Sequence, residues 1–284
     1  MPRVGARPGA RRSGRPRGRE GSRSRQSTIV GVDLGLEGRV ALVTAATRGI
    51  GLHIARRLAL EGARVAVVAR TRADVDRVAA ELGSGHVGVS ADLTGPEACE
   101  SAVLSVQRAL GPIDILVNNL GLRAGSSWAD SGVAEFETAM AGNLYPALRL
   151  SRLVLPQMRE RGHGRIVVIS SLFGREAGGA PAYNAAKAAE HSFVTSLARD
   201  VASSGVTVNA IAPGSILFEG GSWHRRRQAD PEGIAEFVAR ELPLGRFGSP
   251  EEVASVVAFV ASDAASLVNG ASIAVDGAQS RSLV

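Results

Sequence analysis

The stretch R39-V-A-L-V-T-A-A-T-R-G-I-G-L-H-I-A-R-R-L-A-L-E-G62 decides the fold. Residues Arg39–Thr44 are mostly apolar and predict a buried β-strand. Residues Gly49–Glu61 place apolar side chains at helical spacing, and Gly62 is a typical helix end. A buried strand that leads through a short turn into a helix is the first half of a βαβ unit. The stretch therefore predicts a parallel sheet that is covered by helices.

The same alternation continues along the chain. The further predicted strands are 64–69, 86–90, 113–117, 165–170, 206–211 and 272–275. The further predicted helices are 73–82, 96–110, 133–161, 181–203, 231–241 and 250–262. The pattern predicts an α/β fold over residues 36–284: one Rossmann-type doubly wound domain with a central, mostly seven-stranded parallel sheet flanked by helices on both faces.

The positive charge of the chain is concentrated at its N-terminus. The 284 residues carry a net charge of +6, but residues 1–28 alone hold nine arginines and one acid, Glu20. The rest of the chain is therefore slightly acidic, which disfavours nucleic acid as a partner. Residues 1–30 are rich in Arg, Gly and Ser and predict a disordered tail. Two origins of this tail stay open: an inert extension from an upstream start, or an electrostatic tether.

Three kinds of site find no support in the sequence. The single cysteine, Cys99, excludes an internal disulfide and suits a reducing compartment. No apolar run reaches the length that spans a membrane. No group of His, Cys, Asp and Glu has the spacing of metal ligands. We therefore expect a cytoplasmic protein without a metal site or a membrane anchor.

The turn T44-A-A-T-R-G-I-G51 predicts a binding site for the diphosphate of a dinucleotide. Glycines at positions 49 and 51 let the backbone approach the diphosphate at a helix N-terminus, where free N–H groups favour an anion. Ala45 stands where a first glycine is expected. An alanine fits there without strain if the backbone keeps a negative φ.

The end of the second predicted strand indicates which dinucleotide is bound. An Asp or Glu there would favour the free 2′-hydroxyl of NAD(H), but the chain has A69-R-T-R72 and no carboxylate before Asp74. The guanidinium of Arg70 can form charge-assisted hydrogen bonds to a 2′-phosphate, and Arg48 could add to that positive charge. This predicts NADPH or NADP as the cofactor. The alternative is that these arginines only face solvent, so NADH or NAD is the second choice.

Tyr183 and Lys187 lie four residues apart, which places both side chains on one helix face. Lys187 is the only lysine in the chain. A free phenol ionises near pH 10, and an ammonium one helical turn away favours the phenolate, so the pair suits proton transfer. Ser170 or Ser171 in the preceding loop would hold a substrate oxygen beside the phenol. The alternative is an ordinary Tyr and Lys on a helix surface.

Residues from about Leu36 to Gly277 resemble the classical short-chain dehydrogenases/reductases in these motifs, in particular the 3-oxoacyl-carrier-protein reductase-like members. The matching pieces occur in the order of the family. They are the glycine turn, D92-L93, N118-N-L-G121, Asn143, Ser171, the Tyr183–Lys187 pair, P213-G-S-I216, P250-E-E-V-A and V275-D-G.

The resemblance implies hydride transfer at a carbonyl or alcohol carbon. It implies that Tyr183 is the general acid/base, that Ser171 hydrogen-bonds the same substrate oxygen, and that Lys187 also contacts the nicotinamide ribose. Asn143, expected inside one long helix, would hold a water that links Lys187 to solvent. Cofactor contacts are implied for Thr44, Thr47, Arg48, Gly49, Ile50, Gly51, Arg70, Asp92, Leu93, Asn119, Gly121, Pro213, Gly214 and Ile216, together with Tyr183 and Lys187.

Two departures from the family pattern concern the site. Ser171 precedes Tyr183 by twelve residues, one fewer than the commonest spacing, so Ser170 stays an alternative for the catalytic serine. Leu217 and Phe218 stand where a threonine often holds the carboxamide of the cofactor. The backbone of Ile216 is then the candidate for that contact.

Substrate choice is expected in two segments, about 172–181 and 214–240. Residues 218–232 have the length and glycines of a lid loop. Within it, Trp223 and Phe218 would cover an apolar substrate. His224 and the arginines 225–227 would either meet an acidic substrate or face solvent.

The sequence thus predicts an NADPH-preferring carbonyl reductase that takes a small-molecule carbonyl or alcohol. The resemblance further implies a homotetramer. The alternatives are an NAD-linked secondary-alcohol dehydrogenase and a catalytically silent dinucleotide-sensing protein on the same fold.

Overall fold

Seven parallel strands form the centre of the protein in the computed structural model, which describes residues 33–283. They are β1 (Val40–Thr44), β2 (Arg64–Ala69), β3 (Val87–Ser90), β4 (Ile115–Asn118), β5 (Gly164–Ile169), β6 (Val206–Pro213) and β7 (Ser272–Val275). Their order is β3-β2-β1-β4-β5-β6-β7, and each neighbouring pair is parallel. The predicted doubly wound α/β fold is confirmed. The predicted tail lies outside the described residues.

The strand order reverses between β1 and β4. From β1 the chain moves outward to β3, returns to β4 beside β1, and then continues to β7 at the opposite edge. At such a reversal the crossovers on the two sides diverge, which opens a crevice at the carboxyl ends of the strands. Thr44 ends β1 and Asn118 ends β4, so the residues that follow them border this crevice.

Nine α-helices in the described range cover the sheet. They are α1 (Gly49–Leu60), α2 (Arg72–Leu82), α3 (Pro96–Leu110), α4 (Val133–Gly142), α5 (Leu144–Arg161), α6 (Pro181–Val201), α7 (Ser222–Ala229), α8 (Pro231–Glu241) and α9 (Pro250–Val260). Strand β1 shows how the layers form, because its side chains alternate between the faces. Ala41 and Val43 pack with α1 and α9, and Leu42 packs with α3, α5 and α6.

The single long helix predicted over residues 133–161 is wrong, because the chain breaks at Asn143. The backbone there has φ −123° and ψ −71°, which ends α4 and starts α5. The amide Nδ2 of Asn143 donates to the carbonyl of Ala139 at 2.7 Å and to that of Leu122 at 2.8 Å. The side chain thus takes the i−4 carbonyl that a continuous helix gives to the backbone N–H.

The lid loop predicted over residues 218–232 is also wrong in part, since Ser222–Ala229 forms helix α7. This segment reads S-W-H-R-R-R-Q-A and has no apolar stripe that would mark a helix. Its one large apolar side chain, Trp223, stacks on Phe237 of α8 at 4.5 Å between ring centroids and packs at a tilt against Phe247 at 5.2 Å. The packing of Trp223 against α8, rather than the helix preference of the residues in this segment, therefore stabilises α7.

Within residues 33–283, no helix has the combined length and apolarity that crossing a membrane requires.

Candidate active site

The glycine turn after β1 holds an alanine in the left-handed region. Ala45 has φ +49°, so the negative φ that would let an alanine fit without strain is not adopted, and the residue is strained. Asn119 stabilises the turn, because its Nδ2 donates to the carbonyls of Thr44 at 3.1 Å and Ala45 at 3.3 Å. A Cβ atom at Gly51 would lie 2.4 Å from the Ala45 oxygen and 2.4 Å from Asn119 Nδ2. Glycine at 51 is thus required for this close approach.

Thr44 connects the turns after β1 and β4. Its Oγ1 accepts hydrogen bonds from the backbone N–H groups of Asn119 at 2.8 Å and Leu120 at 3.0 Å, and donates to the carbonyl of Val117 at 3.3 Å. The side chain is buried and lines neither of the two cavities described below. The structure therefore gives Thr44 a positioning role in the crevice, and its cofactor contact stays a prediction.

One half of the crevice is a cavity of about 480 Å³ between the turns after β1, β2 and β3. Its lining brings together six of the predicted cofactor residues: Thr47, Arg48, Arg70, Asp92, Leu93 and Gly121. The carboxylate of Asp92 accepts hydrogen bonds from the backbone N–H and the hydroxyl of Thr94, at 3.2 and 2.9 Å. These bonds lower the pKa of Asp92, so it is an ionised hydrogen-bond acceptor at the cavity wall.

The charges around this cavity favour a phosphate. The first turn of α1 contains no acid, and its N-cap residue, Arg48, makes no side-chain capping bond. The N–H groups of that turn therefore face the crevice without a capping acceptor. Arg70 makes no ion pair with any residue that the structure describes, whereas its neighbour Arg72 pairs with Asp76 at 3.4 Å. The residues present thus fit the diphosphate and the 2′-phosphate of a dinucleotide.

The other half of the crevice is a cavity of about 400 Å³ at the carboxyl ends of β4, β5 and β6. Its lining includes ten predicted residues: Arg48, Ile50, Asn119, Gly121, Ser171, Tyr183, Lys187, Pro213, Gly214 and Ile216. Both cavities share Ala45, Arg48, Gly121 and Leu122, so they form one continuous crevice. A dinucleotide spanning it would place its nicotinamide beside Tyr183. Gly49 and Gly51 line neither cavity, and their cofactor contacts stay a prediction.

Tyr183 is half-buried and lies between two cations. Its ring centroid is 5.6 Å from Lys187 Nζ and 5.3 Å from the guanidinium carbon of Arg123. Lys187 is on the same face of α6, as the four-residue spacing predicts. Arg123 comes from the loop after β4, and nothing in the sequence pattern pointed to it.

Lys187 Nζ is held by groups inside the protein. It donates to the carbonyl of Ile169 at 2.9 Å and to the two carboxylate oxygens of Glu190 at 3.0 and 3.1 Å. Burial alone would lower the pKa of Lys187, but attraction to Glu190 and Tyr183 outweighs burial and raises it. Sequence reasoning missed Glu190, although its spacing of three residues from Lys187 predicts that the two side chains meet.

The two candidate serines differ in their partners. Ser170 Oγ donates to the carbonyl of Lys187 at 3.2 Å and lies 3.1 Å from His191 Nε2. Ser171 Oγ accepts a hydrogen bond from the N–H of Phe173 at 3.2 Å, and both serines line the cavity. Ser170 is thus used to join β5 to α6, while the hydroxyl proton of Ser171 stays available to a ligand. Burial lowers the pKa of His191, so this imidazole is neutral near pH 7.

Asn143 lies behind the crevice wall. Its Oδ1 accepts from the N–H of Leu122 at 3.3 Å, and its Nδ2 donates to two carbonyls as described above. A Cβ atom at Gly121 would lie 3.4 Å from Asn143 Oδ1 and 3.7 Å from Lys187 Nζ. Asn143 therefore shapes the loop that carries Gly121, and the remaining lone pair of its Oδ1 faces the same spot as the ammonium.

The segment after β6 has no threonine at the position that often holds the carboxamide of the cofactor. Its backbone is the remaining candidate for that contact. The N–H of Leu217 donates to the carbonyl of Gly248 at 2.9 Å, and the N–H of Gly248 donates to the carbonyl of Ser215 at 3.0 Å. In a parallel bridge of this kind, the N–H and C=O of the central residue, Ile216, point away from the partner strand. The phenyl ring of Phe218 packs on Gly49, where a Cβ atom would lie 2.6 Å from it.

The substrate side of the cavity is partly apolar and partly basic. Phe173, Phe218 and Trp223 supply aromatic surface. Arg225 lines the same space, and its guanidinium donates to the carbonyl of Gly220 at 2.5 Å. No group of three His, Cys, Asp or Glu side chains among residues 33–283 is arranged to hold a metal ion.

Comparisons with known proteins agree with this geometry. Residues 44–278 match the family model described as Enoyl-(Acyl carrier protein) reductase. The chain is 37% identical over 245 residues to 3-oxoacyl-[acyl-carrier-protein] reductase FabG of Escherichia coli (strain K12), covering 86% of this chain and 98% of that protein. It is also 37% identical over 246 residues to acetoacetyl-CoA reductase of Shinella zoogloeoides, covering 85% and 98%.

A solved structure shows the same fold. The L-sorbose reductase of Gluconobacter frateurii, crystallised with NADPH and L-sorbose, superposes with a TM-score of 0.83 at 32% identity, covering 89% of this chain and 100% of that one. The sheet order, the crevice at the strand reversal and the sequence relatives lead to one conclusion. The chain belongs to the short-chain dehydrogenase/reductase family of oxidoreductases.

Proposed function

We propose that this protein is an NADPH-preferring reductase that converts a ketone to a secondary alcohol, with Tyr183 as the general acid. The observation that carries the proposal is the continuous crevice at the carboxyl ends of the strands. One end is lined by Arg48 and Arg70 together with the acids Asp74 and Asp92, and the other end is lined by Tyr183, Lys187 and Ser171. The curated relatives are named as reductases of 3-oxoacyl and acetoacetyl groups, which supports the reducing direction.

The crevice would hold the cofactor along its length. Arg70 and Arg48 would bind the 2′-phosphate, the first turn of α1 the diphosphate, and Asp92 with Leu93 the adenine. The backbone N–H and C=O of Ile216 would face the carboxamide. When bound, NADPH supplies the hydride that reduces the carbonyl carbon.

Proton transfer falls to the residues beside that cavity. Tyr183 would donate its phenolic proton to the carbonyl oxygen, because Lys187 and Arg123 near its ring stabilise the negative charge that remains. Ser171 would donate a hydrogen bond to the same oxygen as charge develops on it. Asn143 would accept a hydrogen bond from a water near Lys187 Nζ, which gives the tyrosine a path for reprotonation.

The lining also limits the substrate. The aromatic rings of Phe173, Phe218 and Trp223 beside three guanidinium groups favour a ketone with an apolar part and a polar or anionic end. We therefore propose screening acetoacetyl-CoA, short β-keto esters and ketoses, which includes the substrate classes named for the relatives.

The first test combines cofactor binding with one substitution. Purified protein is titrated with NADPH and NADH while protein fluorescence is followed, and turnover on the ketone panel is measured for the parent and for Tyr183→Phe. We expect tighter binding of NADPH and a loss of turnover of at least roughly 100-fold in the variant, as for removal of a general acid. Cofactor binding without turnover on any ketone would favour a dinucleotide-sensing protein, and equal turnover in Tyr183→Phe would refute the role of this tyrosine.

A second substitution tests the cofactor preference. Arg70→Asp removes one charge-assisted hydrogen-bonding group and places a carboxylate beside the 2′-phosphate, so we expect the Kd of NADPH to rise by roughly 10- to 100-fold or more. The Kd of NADH should change by less than about threefold. Arg72→Asp is the matched control, because Arg72 is exposed nearby but lies outside the cavity lining. Equal effects on both cofactors would remove Arg70 from this role.

We also propose that the enzyme is a cytoplasmic homotetramer, as the resemblance to the family implies. Light scattering coupled to size-exclusion chromatography of the purified protein tests the assembly, and a monomeric mass at micromolar concentration would refute it.

A further inference from the structure

A buried acid in the active site has no part in the mechanism above. The side chain of Glu190 is 1% exposed, and that of Lys187 is 2% exposed. Both carboxylate oxygens of Glu190 lie within hydrogen-bond distance of the Lys187 ammonium, at 3.0 and 3.1 Å. A carboxylate is buried at such a place only if a charged or hydrogen-bonding partner compensates for its lost hydration.

Glu190 faces most of the hydrogen-bond donors of the Lys187 ammonium. An ammonium has three N–H bonds. One is directed at the carbonyl of Ile169 at 2.9 Å, and the two carboxylate oxygens face the others. A hydrogen bond from Lys187 to a cofactor ribose therefore has to be shared with Glu190. The carboxylate also offsets the positive charge that Tyr183 experiences at 5.6 Å.

The other polar groups around the pair are few among the described residues. The hydroxyl of Ser170 acts to lower the pKa of Glu190, and the imidazole Nε2 of His191 lies 3.1 Å from Ser170 Oγ. The charge of Arg175 acts on His191, and the guanidinium of Arg123 lies over the Tyr183 ring. Burial raises the pKa of Glu190, and the Lys187 charge counteracts this. The close contact to both oxygens favours the ionised pair at neutral pH.

We propose that Glu190 is a positioning residue for the reaction: as a built-in counter-ion, it fixes the Lys187 ammonium and sets the pH at which the Tyr183–Lys187 pair loses its first proton. This role rests on the proposed function, because it makes Lys187 the partner of an acid/base tyrosine.

The direction of the effect follows from charge. With Glu190 ionised, the group of three is neutral while Tyr183 and Lys187 are both protonated, and it becomes negative when either loses a proton. With a neutral residue at position 190, the same loss takes the pair from positive to neutral. Removing the carboxylate charge therefore makes loss of the first proton easier, whichever of the two groups releases it.

The single lysine of the chain makes a direct test possible. In protein labelled with ¹³C and ¹⁵N lysine, one side-chain signal reports the charge of Lys187 across a pH titration. We expect the parent to keep a charged ammonium beyond the ordinary lysine midpoint of about 10.4. We expect Glu190→Gln to start losing the proton of the pair at least one pH unit lower, a tenfold change in proton concentration.

The control is Asp200→Asn, which removes an exposed acid from the same helix, where Asp200 pairs with Arg159. It should leave the lysine titration unchanged. Identical titrations in the parent and Glu190→Gln would overturn the proposal. Should Glu190→Gln fail to fold, the parent alone decides, because a Lys187 signal that titrates below pH 10 would show that the carboxylate does not hold the charge.

The pH profile of turnover gives a second readout. On the best ketone, the alkaline limb of kcat/KM for reduction should move to lower pH in Glu190→Gln and stay in place in Asp200→Asn. A purely structural role of Glu190 would change stability and leave this limb unmoved. Failure of the proposed function would appear as absent turnover in the parent, while the lysine titration would still report on Glu190.

Discussion

Gly51→Ala perturbs the contact on which the crevice depends. The added methyl would lie 2.4 Å from the carbonyl oxygen of Ala45 and 2.4 Å from Nδ2 of Asn119. Neither neighbour can move freely. Ala45 is already in the left-handed region, and Asn119 Nδ2 donates to the carbonyls of Thr44 and Ala45. The methyl group therefore has to displace the amide or shift the start of α1.

The magnitude can be worked from these contacts. Forcing a methyl into a packed site costs about 1–3 kcal/mol. Loss of the two hydrogen bonds of the Asn119 amide costs about 0.5–1.5 kcal/mol each. Alanine is preferred over glycine in a helix, which offsets about 0.5–1 kcal/mol of this destabilisation. The net expectation is a destabilisation of roughly 1–5.5 kcal/mol, which lowers Tm by roughly 2–22 °C in a domain of this size.

Thermal denaturation and NADPH titration check this expectation. The Kd of NADPH should rise by at least about tenfold, since Ala45 and Asn119 both line the crevice and the displacement corresponds to more than about 1.4 kcal/mol. Gly95→Ala is the matched control, because Gly95 has φ −90° and its nearest neighbouring atom would be 4.0 Å from a Cβ. A Gly51→Ala protein that melts with the control and binds NADPH normally would refute the argument.

Three further predictions concern the turn, the acid stability and the N-terminal segment. Ala45→Gly removes the strain of an alanine in the left-handed region, which is about 1–2 kcal/mol, and adds about 0.5–1 kcal/mol of chain entropy to the unfolded state. Tm should therefore rise by a few degrees, and a fall in Tm would contradict the strain. The carboxylate of Asp263 contacts buried Arg165 at 2.8 Å and His163 at 3.2 Å; burial opposes ionisation, but these contacts outweigh it and lower its pKa. The stabilisation by Asp263 is therefore present above the ordinary carboxyl pKa and is lost as pH falls through the lower pKa of the folded state. Asp263→Asn should lower Tm at pH 7 and make Tm less dependent on pH below about 4. Thermal denaturation at several pH values measures both effects. Deletion of residues 1–28 should leave kcat and KM unchanged, because no site residue lies there, and a clear loss of activity would contradict this.

Much of the fold was predictable from local patterns. The bounds of α3 and α8 and of strand β7 agree with the prediction to the residue. These segments begin with proline or have a continuous run of one period, so each is specified by its own residues. The shared face of Tyr183 and Lys187 is likewise a property of helix geometry alone. The identity of the catalytic and cofactor residues stays a prediction until the substitutions above are made.

The remaining features depend on residues that are distant in the sequence. The helix breaks at Asn143 because its amide reaches the carbonyl of Leu122 as well as that of Ala139. Helix α7 forms because Trp223 finds Phe237 and Phe247. No periodicity within either segment carries that information.

The same reason applies to the chemistry of the site. Ala45 keeps its positive φ because Asn119, from the end of another strand, holds both carbonyls of the turn. The spacing of Lys187 and Glu190 is local, but only the surrounding fold buries the pair and makes it strong. The sequence by itself determined the elements and the positions of their polar residues. The tertiary structure decided the strain, burial and charge pairing, because these arise from contacts between elements.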